Sequence, residues 1–135
     1  MLLTLLTLTA CSSASGMSVR EAVVAEPAGP VTAAYFEIEN TSETGDRLIG
    51  VSADVAEAEI HRSFSQAGTM HMEPMTFVDV GRGEVVVFQP GGLHIMLLDV
   101  ADLQAGDTVN IILEFEEAGL VDIEAPVRPY SELLP

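Results

Sequence analysis

The feature that most constrains the fold of this chain is a series of short segments rich in β-branched residues, separated by Gly, Pro, Asp and Asn. From Val109 to Phe115, apolar residues alternate with polar ones, and only Ile112 interrupts the polar face. Because successive side chains of a strand point to opposite faces, this period of two predicts a strand with one buried face. The same reasoning predicts strands at 19–25, 31–39, 47–52, 56–61, 84–88, 93–100, 108–116 and 120–127. Their spacing favours an antiparallel β-sandwich or barrel.

Turn-forming residues divide these segments. The polar stretch 40–46 is predicted as a loop, and the glycines in 90–92 and 105–107 permit tight turns. The acidic, Ala-containing stretch 52–59 is the best position for a helical turn, although its second half also has strand character. No other segment carries the 3.6-residue apolar period of a helix, so we expect an all-β domain.

The N-terminal residues predict export. Residues 1–10 are apolar and uncharged, too short for the roughly 20 residues of a membrane-spanning helix, and resemble a signal peptide that lacks its basic leader. Residues 8–11 resemble the lipobox of bacterial lipoproteins, which predicts a lipid on Cys11; an ordinary secretion signal with an incidental cysteine is the alternative. Residues 11–18 are then a lipid-anchored tether, and 19–135 form one domain outside the cytoplasm.

Composition excludes several classes of function. With 21 acidic residues against five basic ones, the chain has a formal charge of −16 and repels the phosphates of nucleic acid. Cys11 is the only cysteine, so the mature domain has neither an internal disulfide nor a thiolate metal site.

Histidine and methionine concentrate in one part of the chain. All three histidines and four of the six methionines lie between positions 61 and 96. His94 and Met96 are two residues apart on a predicted strand, so they share a face with Cα atoms about 6.6 Å apart. His61 ends another predicted strand, and Met72 lies in a predicted loop, 63–75, that forms one lip of the site.

The other methionines and the third histidine are predicted to have structural positions, in the core or in a loop, and not to bind a metal. Met17 is predicted to fill the core. Met70, His71 and Met75 are predicted as loop residues and remain alternates to Met72.

The chemistry of two imidazoles and two thioethers favours one metal. Both groups are neutral and the thioether sulfur is soft, which suits Cu(I) and serves magnesium or calcium badly. Protein zinc sites use thiolate, imidazole and carboxylate instead. A blue-copper centre requires a cysteine thiolate, which the mature domain lacks. An enzyme would need a nucleophile or general base outside this cluster, and no histidine or cysteine is left to supply one, so we expect no catalysis.

The spacing of the four residues identifies a family. His61, Met72, His94 and Met96 follow the pattern H-x10-M-x21-H-x-M, which resembles that of the periplasmic copper chaperones called PCu(A)C. The likeness covers most of the domain, and is strongest at 90–97, with similar segments at 34–40, 46–51, 57–61 and 103–107.

The resemblance implies a fold and a function. It implies a cupredoxin-like antiparallel β-sandwich of Greek-key type that holds Cu(I) through His61, Met72, His94 and Met96. It further implies delivery of copper toward the CuA centre of cytochrome c oxidase, through subunit II or a Sco-like protein. A lipoprotein for copper storage, resistance or sensing would use the same ligands without delivery and remains the alternative. Some relatives carry a His- and Met-rich C-terminal tail suited to Cu(II), whereas the last residues here are Ser-Glu-Leu-Leu-Pro, so we do not expect a second, tail-borne Cu(II) site.

Overall fold

The alternation in the sequence becomes an alternation of burial in the folded chain. A computed structural model describes residues 13–14 and 16–133; the predicted signal peptide and Cys11 lie outside them. The side chains of Val109, Ile111 and Leu113, which alternate along one strand, are fully buried. The strands within the described residues are β1 (Ser13–Ala14), β2 (Met17–Ala25), β3 (Thr32–Asn40), β4 (Asp46–Ala53), β5 (Glu57–Gln66), β6 (Thr69–Pro74), β7 (Val78–Val80), β8 (Val85–Phe88), β9 (Leu93–Leu98), β10 (Thr108–Phe115) and β11 (Gly119–Arg128), followed by a 3-10 helix (Tyr130–Glu132).

The strands form two layers that share β11. The first layer has the order β6-β5-β9-β8-β3-β2, with β9 also pairing with β3, and the second has the order β11-β10-β4-β7. Residues 119–126 of β11 run antiparallel to β10, whereas Val127 and Arg128 pair in parallel with β2. The other strand pairs are antiparallel as predicted, except for one short parallel contact between β8 and β9.

One core lies between the layers. Buried apolar residues of both layers form a single cluster, which is the arrangement of a β-sandwich. Within this cluster, the rings of Phe36 and Phe88 stack with centroids 4.6 Å apart. The prediction of an all-β sandwich fold is therefore confirmed. Among the residues that the structure describes, no helix is long and apolar enough to cross a membrane.

The first long strand begins earlier than the sequence indicated. Met17 is only 1% exposed and belongs to the core, as predicted for this methionine, although the domain was expected to start at residue 19. Ser13 and Ala14, within the predicted tether, pair with Ser18 and Met17. Gly16 permits this turn because its φ is +86° and a Cβ there would lie 2.9 Å from that of Ser42.

Three local predictions were wrong. Residues 63–75 do not form a loop: β5 continues to Gln66 and returns as β6 through a two-residue turn. Ala67 and Gly68 both have positive φ, at 51° and 79°, which is typical of a type I′ hairpin. Residues 52–59 contain no helical turn, because strand pairing extends to Ala53 and resumes at Glu57. The short strand β7 was not predicted at all.

The predicted loop at 40–46 is fixed by one buried side chain. Asn40 is 0% exposed, and its Nδ2 donates hydrogen bonds to the carbonyls of Thr44 (2.9 Å) and Val80 (3.0 Å). Its Oδ1 accepts hydrogen bonds from the backbone N–H and the hydroxyl of Ser42. These contacts join the loop to β7, which forms the edge of the second layer.

Candidate metal-binding site

Two histidines face each other on adjacent strands. His61 of β5 lies directly opposite His94 of β9 in the antiparallel register, and their ring centroids are 5.9 Å apart. Within β9, Ile95 and Leu97 are fully buried in the core, whereas His94 and Met96 point to the other face of the sheet. The predicted alternation along this strand is therefore confirmed.

The environment of His94 leaves one ring nitrogen free to bind a metal. Its Nδ1 lies 3.0 Å from the carbonyl oxygen of Gly92, which can only accept, so Nδ1–H donates and Nε2 carries the lone pair. That Nε2 is buried without a hydrogen-bond partner in the structure. Burial lowers the pKa of His94 below its ordinary 6.5; the bond to Gly92 opposes this effect and the neighbouring His61 adds to it. The ring is consequently neutral at pH 7.

His61 is oriented by a carboxylate on its own strand. Its Nε2 lies 2.8 Å from Oε2 of Glu59, so Nε2–H donates to the carboxylate and the lone pair is on Nδ1. Nδ1 is also buried without a partner. Each of the two rings thus has one nitrogen hydrogen-bonded and the other free, as is usual for histidines that ligate metals.

Glu59 was not identified from the sequence. The signal was available, because Glu59 and His61 are two residues apart on a predicted strand and must therefore share a face.

One thioether lies on the same strand as His94, and the other lies on the strand next to that of His61. Met96 follows His94 on β9, and Met72 lies on β6 opposite Ser63, with 52% of its surface exposed. Met72, His94, Met96 and Ser63 line one open cavity of about 480 Å³. His61 is not among the residues that line this cavity. The strand register places all four predicted residues on one face of three adjacent strands, β6, β5 and β9.

The cavity wall next to the two thioethers is largely apolar. Val31, Ala33 and the ring of Tyr35 contribute to it, as does Tyr130 of the 3-10 helix. Burial raises the pKa of Tyr35, and the proximity of Tyr130 raises it further, so the phenol is neutral. The carboxylate among the lining residues is that of Glu26, and a second carboxylate, that of Glu59, lies beside His61.

The remaining residues of the cluster separate from one another. Met70 lies on the same face of β6 as Met72, but it is two residues closer to the turn of the hairpin. His71 points to the opposite face, where its ring stacks on Phe64 at 5.5 Å. Met75 packs against the hydrophobic core. The prediction of loop residues was wrong for Met70 and His71, which lie on β6. It is confirmed for Met75, which lies between β6 and β7.

The donor set determines the chemistry available here. Two neutral imidazole nitrogens and two thioethers offer no negative charge, which suits a soft monovalent ion better than a hard divalent one. Across residues 16–133, no group of three or more His, Cys, Asp or Glu side chains is placed to hold a metal.

Comparison with known proteins places the chain in a family. Residues 17–127 match the family described as "Putative lipoprotein LpqE-like". The chain belongs to the LpqE-like family. This LpqE-like chain is also similar to "Putative lipoprotein Lxx21020" of Leifsonia xyli subsp. xyli, with 27% identity over 121 residues that cover 87% of the chain and 73% of the relative.

Solved structures share the fold. The copper-bound PCuAC domain from PmoF2 is 24% identical with a TM-score of 0.73, over 90% of the LpqE-like chain and 99% of that domain. Apo-DR1885 from Deinococcus radiodurans is 25% identical with a TM-score of 0.64, over 96% and 89% of the two chains. Its Cu(I) form is 25% identical with a TM-score of 0.61, over 89% and 81%. The cupredoxin-like β-sandwich that the sequence resemblance implied is therefore confirmed.

Proposed function

We propose that this LpqE-like protein binds one Cu(I) through Nδ1 of His61, Nε2 of His94 and the thioethers of Met72 and Met96, and passes it on as a copper chaperone. The observation that carries the proposal is the pair of buried, unpartnered imidazole nitrogens on facing strands. A buried polar atom without a partner is costly, and a bound ion would satisfy both atoms at once. The copper-bound PmoF2 domain and Cu(I)-DR1885 support the choice of metal.

The proposed ligands suit transient binding. All four are neutral, so Cu(I) is held without an opposing negative charge in the inner shell. Met72 is half-exposed at the edge strand, whereas His94 is 4% exposed. An acceptor's thiolate or thioether can therefore approach the ion from the side of Met72. Transfer is then a ligand exchange, and the acceptor's stronger ligands set its direction.

The place of action and the acceptor belong to the same proposal. We propose that Cys11 is lipidated and holds the domain at the outer face of the cell membrane, a view supported by membership in a family of lipoproteins. The proposed acceptor is the CuA domain of cytochrome c oxidase subunit II, reached directly or through a Sco-like protein. Lipid anchoring is tested by metabolic labelling with a fatty-acid analogue, which should be lost in Cys11→Ser.

Copper binding is tested by titrating the reduced protein with Cu(I) against a chromophoric chelator. The wild-type chain should bind one equivalent, and His94→Ala and Met96→Ala should each weaken binding by about 100-fold, or about 2.7 kcal/mol. His71→Ala is the matched control, because this histidine lies on the opposite face of β6. Wild-type affinity in both ligand variants would refute the assigned site.

Delivery is tested separately. The Cu(I)-loaded protein is mixed with a purified oxidase subunit II domain, and the copper content of each is measured after separation. Copper found on the oxidase domain supports a chaperone. Copper retained by this protein, despite a competent acceptor, would favour storage, resistance or sensing.

A further inference from the structure

We propose that Met70 and Met72 together form a second, outer Cu(I) position on β6, through which copper reaches and leaves the four-ligand site. This inference rests on the proposed function and assigns a role to Met70, which the inner site does not use. The outer position takes the same soft monovalent ion, held by two thioethers.

The register of the hairpin determines which face of β6 these two methionines occupy. Met72 lies opposite Ser63 and Met70 opposite Ser65, so both methionines are on the same face of β6. Residues two apart on a strand have Cα atoms about 6.6 Å apart, the same spacing as His94 and Met96. Two flexible methionine side chains at that spacing can direct both sulfur atoms to one ion.

Exposure distinguishes this pair from methionines that fill space. Met70 is 60% exposed and Met72 is 52% exposed, whereas Met17 is 1% exposed. Their cross-strand neighbours are serines, whose small side chains leave the thioethers uncovered. β6 is also the edge strand of its layer. Large exposed apolar side chains on an edge strand favour unwanted association, so their presence indicates a use.

Met72 connects the two positions. In the inner site, it acts with His61, His94 and Met96; in the outer position, it would act with Met70. The step forms a bond from the Met70 sulfur to copper as the bonds to the two histidine nitrogens and to the Met96 sulfur break, while the Met72 bond persists. Copper remains Cu(I), each released atom regains its lone pair, and no proton or electron moves.

The two positions differ in strength and access. The inner site offers four donors, two of them buried nitrogens, and the outer one offers two exposed thioethers. The outer position therefore holds copper weakly and briefly, but an acceptor or donor molecule can contact the ion there. Met70 should consequently affect the rates of loading and release and leave the equilibrium affinity almost unchanged.

The test compares rate and affinity in the full chain. Cu(I)-loaded protein is mixed with excess chromophoric chelator in a stopped-flow instrument, and Kd is measured by competition. Met70→Leu, which keeps the apolar bulk without the sulfur, should slow release and loading equally, by about tenfold, with Kd within about twofold of wild type. His71→Ala, on the opposite face, should change neither rate.

The possible results separate the two proposals. Wild-type rates in Met70→Leu would refute the outer position while leaving the proposed function intact. A loss of affinity in Met70→Leu equal to that in Met96→Ala would also refute it, since Met70 would then be a resident ligand. A wild-type chain that binds no Cu(I) would refute the proposed function itself.

Discussion

The hydrogen bond between Glu59 and His61 makes a quantitative prediction about copper affinity. The carboxylate Oε2 lies 2.8 Å from Nε2 of the ring and keeps the proton on that nitrogen, which leaves Nδ1 for the metal. Glu59→Gln keeps the shape and an acceptor oxygen but removes the negative charge. The imidazole then becomes a weaker donor to Cu(I).

The structure sets the size of this effect. Changing a residue that orients a metal ligand typically costs 10- to 100-fold in affinity. The side chain of Glu59 is 50% exposed, so water screens its charge and the lower end applies. We expect Cu(I) affinity to fall by about tenfold, which is about 1.4 kcal/mol. Glu59→Ala, which removes the acceptor as well, should weaken binding further.

The assay is chelator competition with the reduced protein, and the chain offers a matched control. Glu57 lies two residues earlier on the same face of β5 and carries the same charge. Glu57→Gln therefore measures the general effect of removing one negative charge near the site. An equal affinity loss in the two glutamine variants would show that charge alone acts at long range. Unchanged affinity in Glu59→Gln would refute the role of Glu59 in orienting His61.

Two further predictions concern the metal-free fold. Burial lowers the pKa of His94 in the folded protein below 6.5, its value in the unfolded chain. At a pH between these two pKa values, the unfolded chain binds more protons than the folded one. The apo protein therefore loses stability as pH falls from about 7. Thermal unfolding at a series of pH values should show this loss reduced in His94→Gln, and an unchanged pH dependence would contradict it. Asn40→Ala should cost about 2–4 kcal/mol, measured by denaturant unfolding, because two carbonyls lose their donor. The exposed Asn110→Ala is its control and should cost under about 0.5 kcal/mol; equal losses would contradict the role of Asn40.

The sequence predicted well those parts of the fold that have one buried face. In β9 and β10, the period of two follows from backbone geometry, so the side of each residue could be known without coordinates. That rule placed His94 and Met96 together on the face away from the core. Which nitrogen of each ring is free could not be predicted, since it depends on Gly92 and Glu59. Their role as copper ligands stays a prediction.

The hairpin of β5 and β6 escaped prediction for a physical reason. Nearly all residues of β6 are exposed on both faces, so no apolar alternation marks it as a strand. Pro74 and the Ala-Gly turn also resemble loop chemistry. In residues 52–59, by contrast, the composition favours a helical turn that the structure does not have. Their Ala and Glu content favours a helix, but pairing with neighbouring strands overrides this preference.

The position of β11 has a consequence for how quickly the chain folds. This strand completes the second layer through β10 and also closes onto β2, about a hundred residues earlier in the chain. The pairing of β11 with β2 therefore joins parts of the chain that are far apart in sequence. Such non-local contacts slow folding, typically to milliseconds or seconds in β-sandwiches, because the entropy of closing a long loop is lost before the contact forms. While β11 is unpaired, the edges of β2 and β10 that it covers are open, and open strand edges make a chain prone to aggregation.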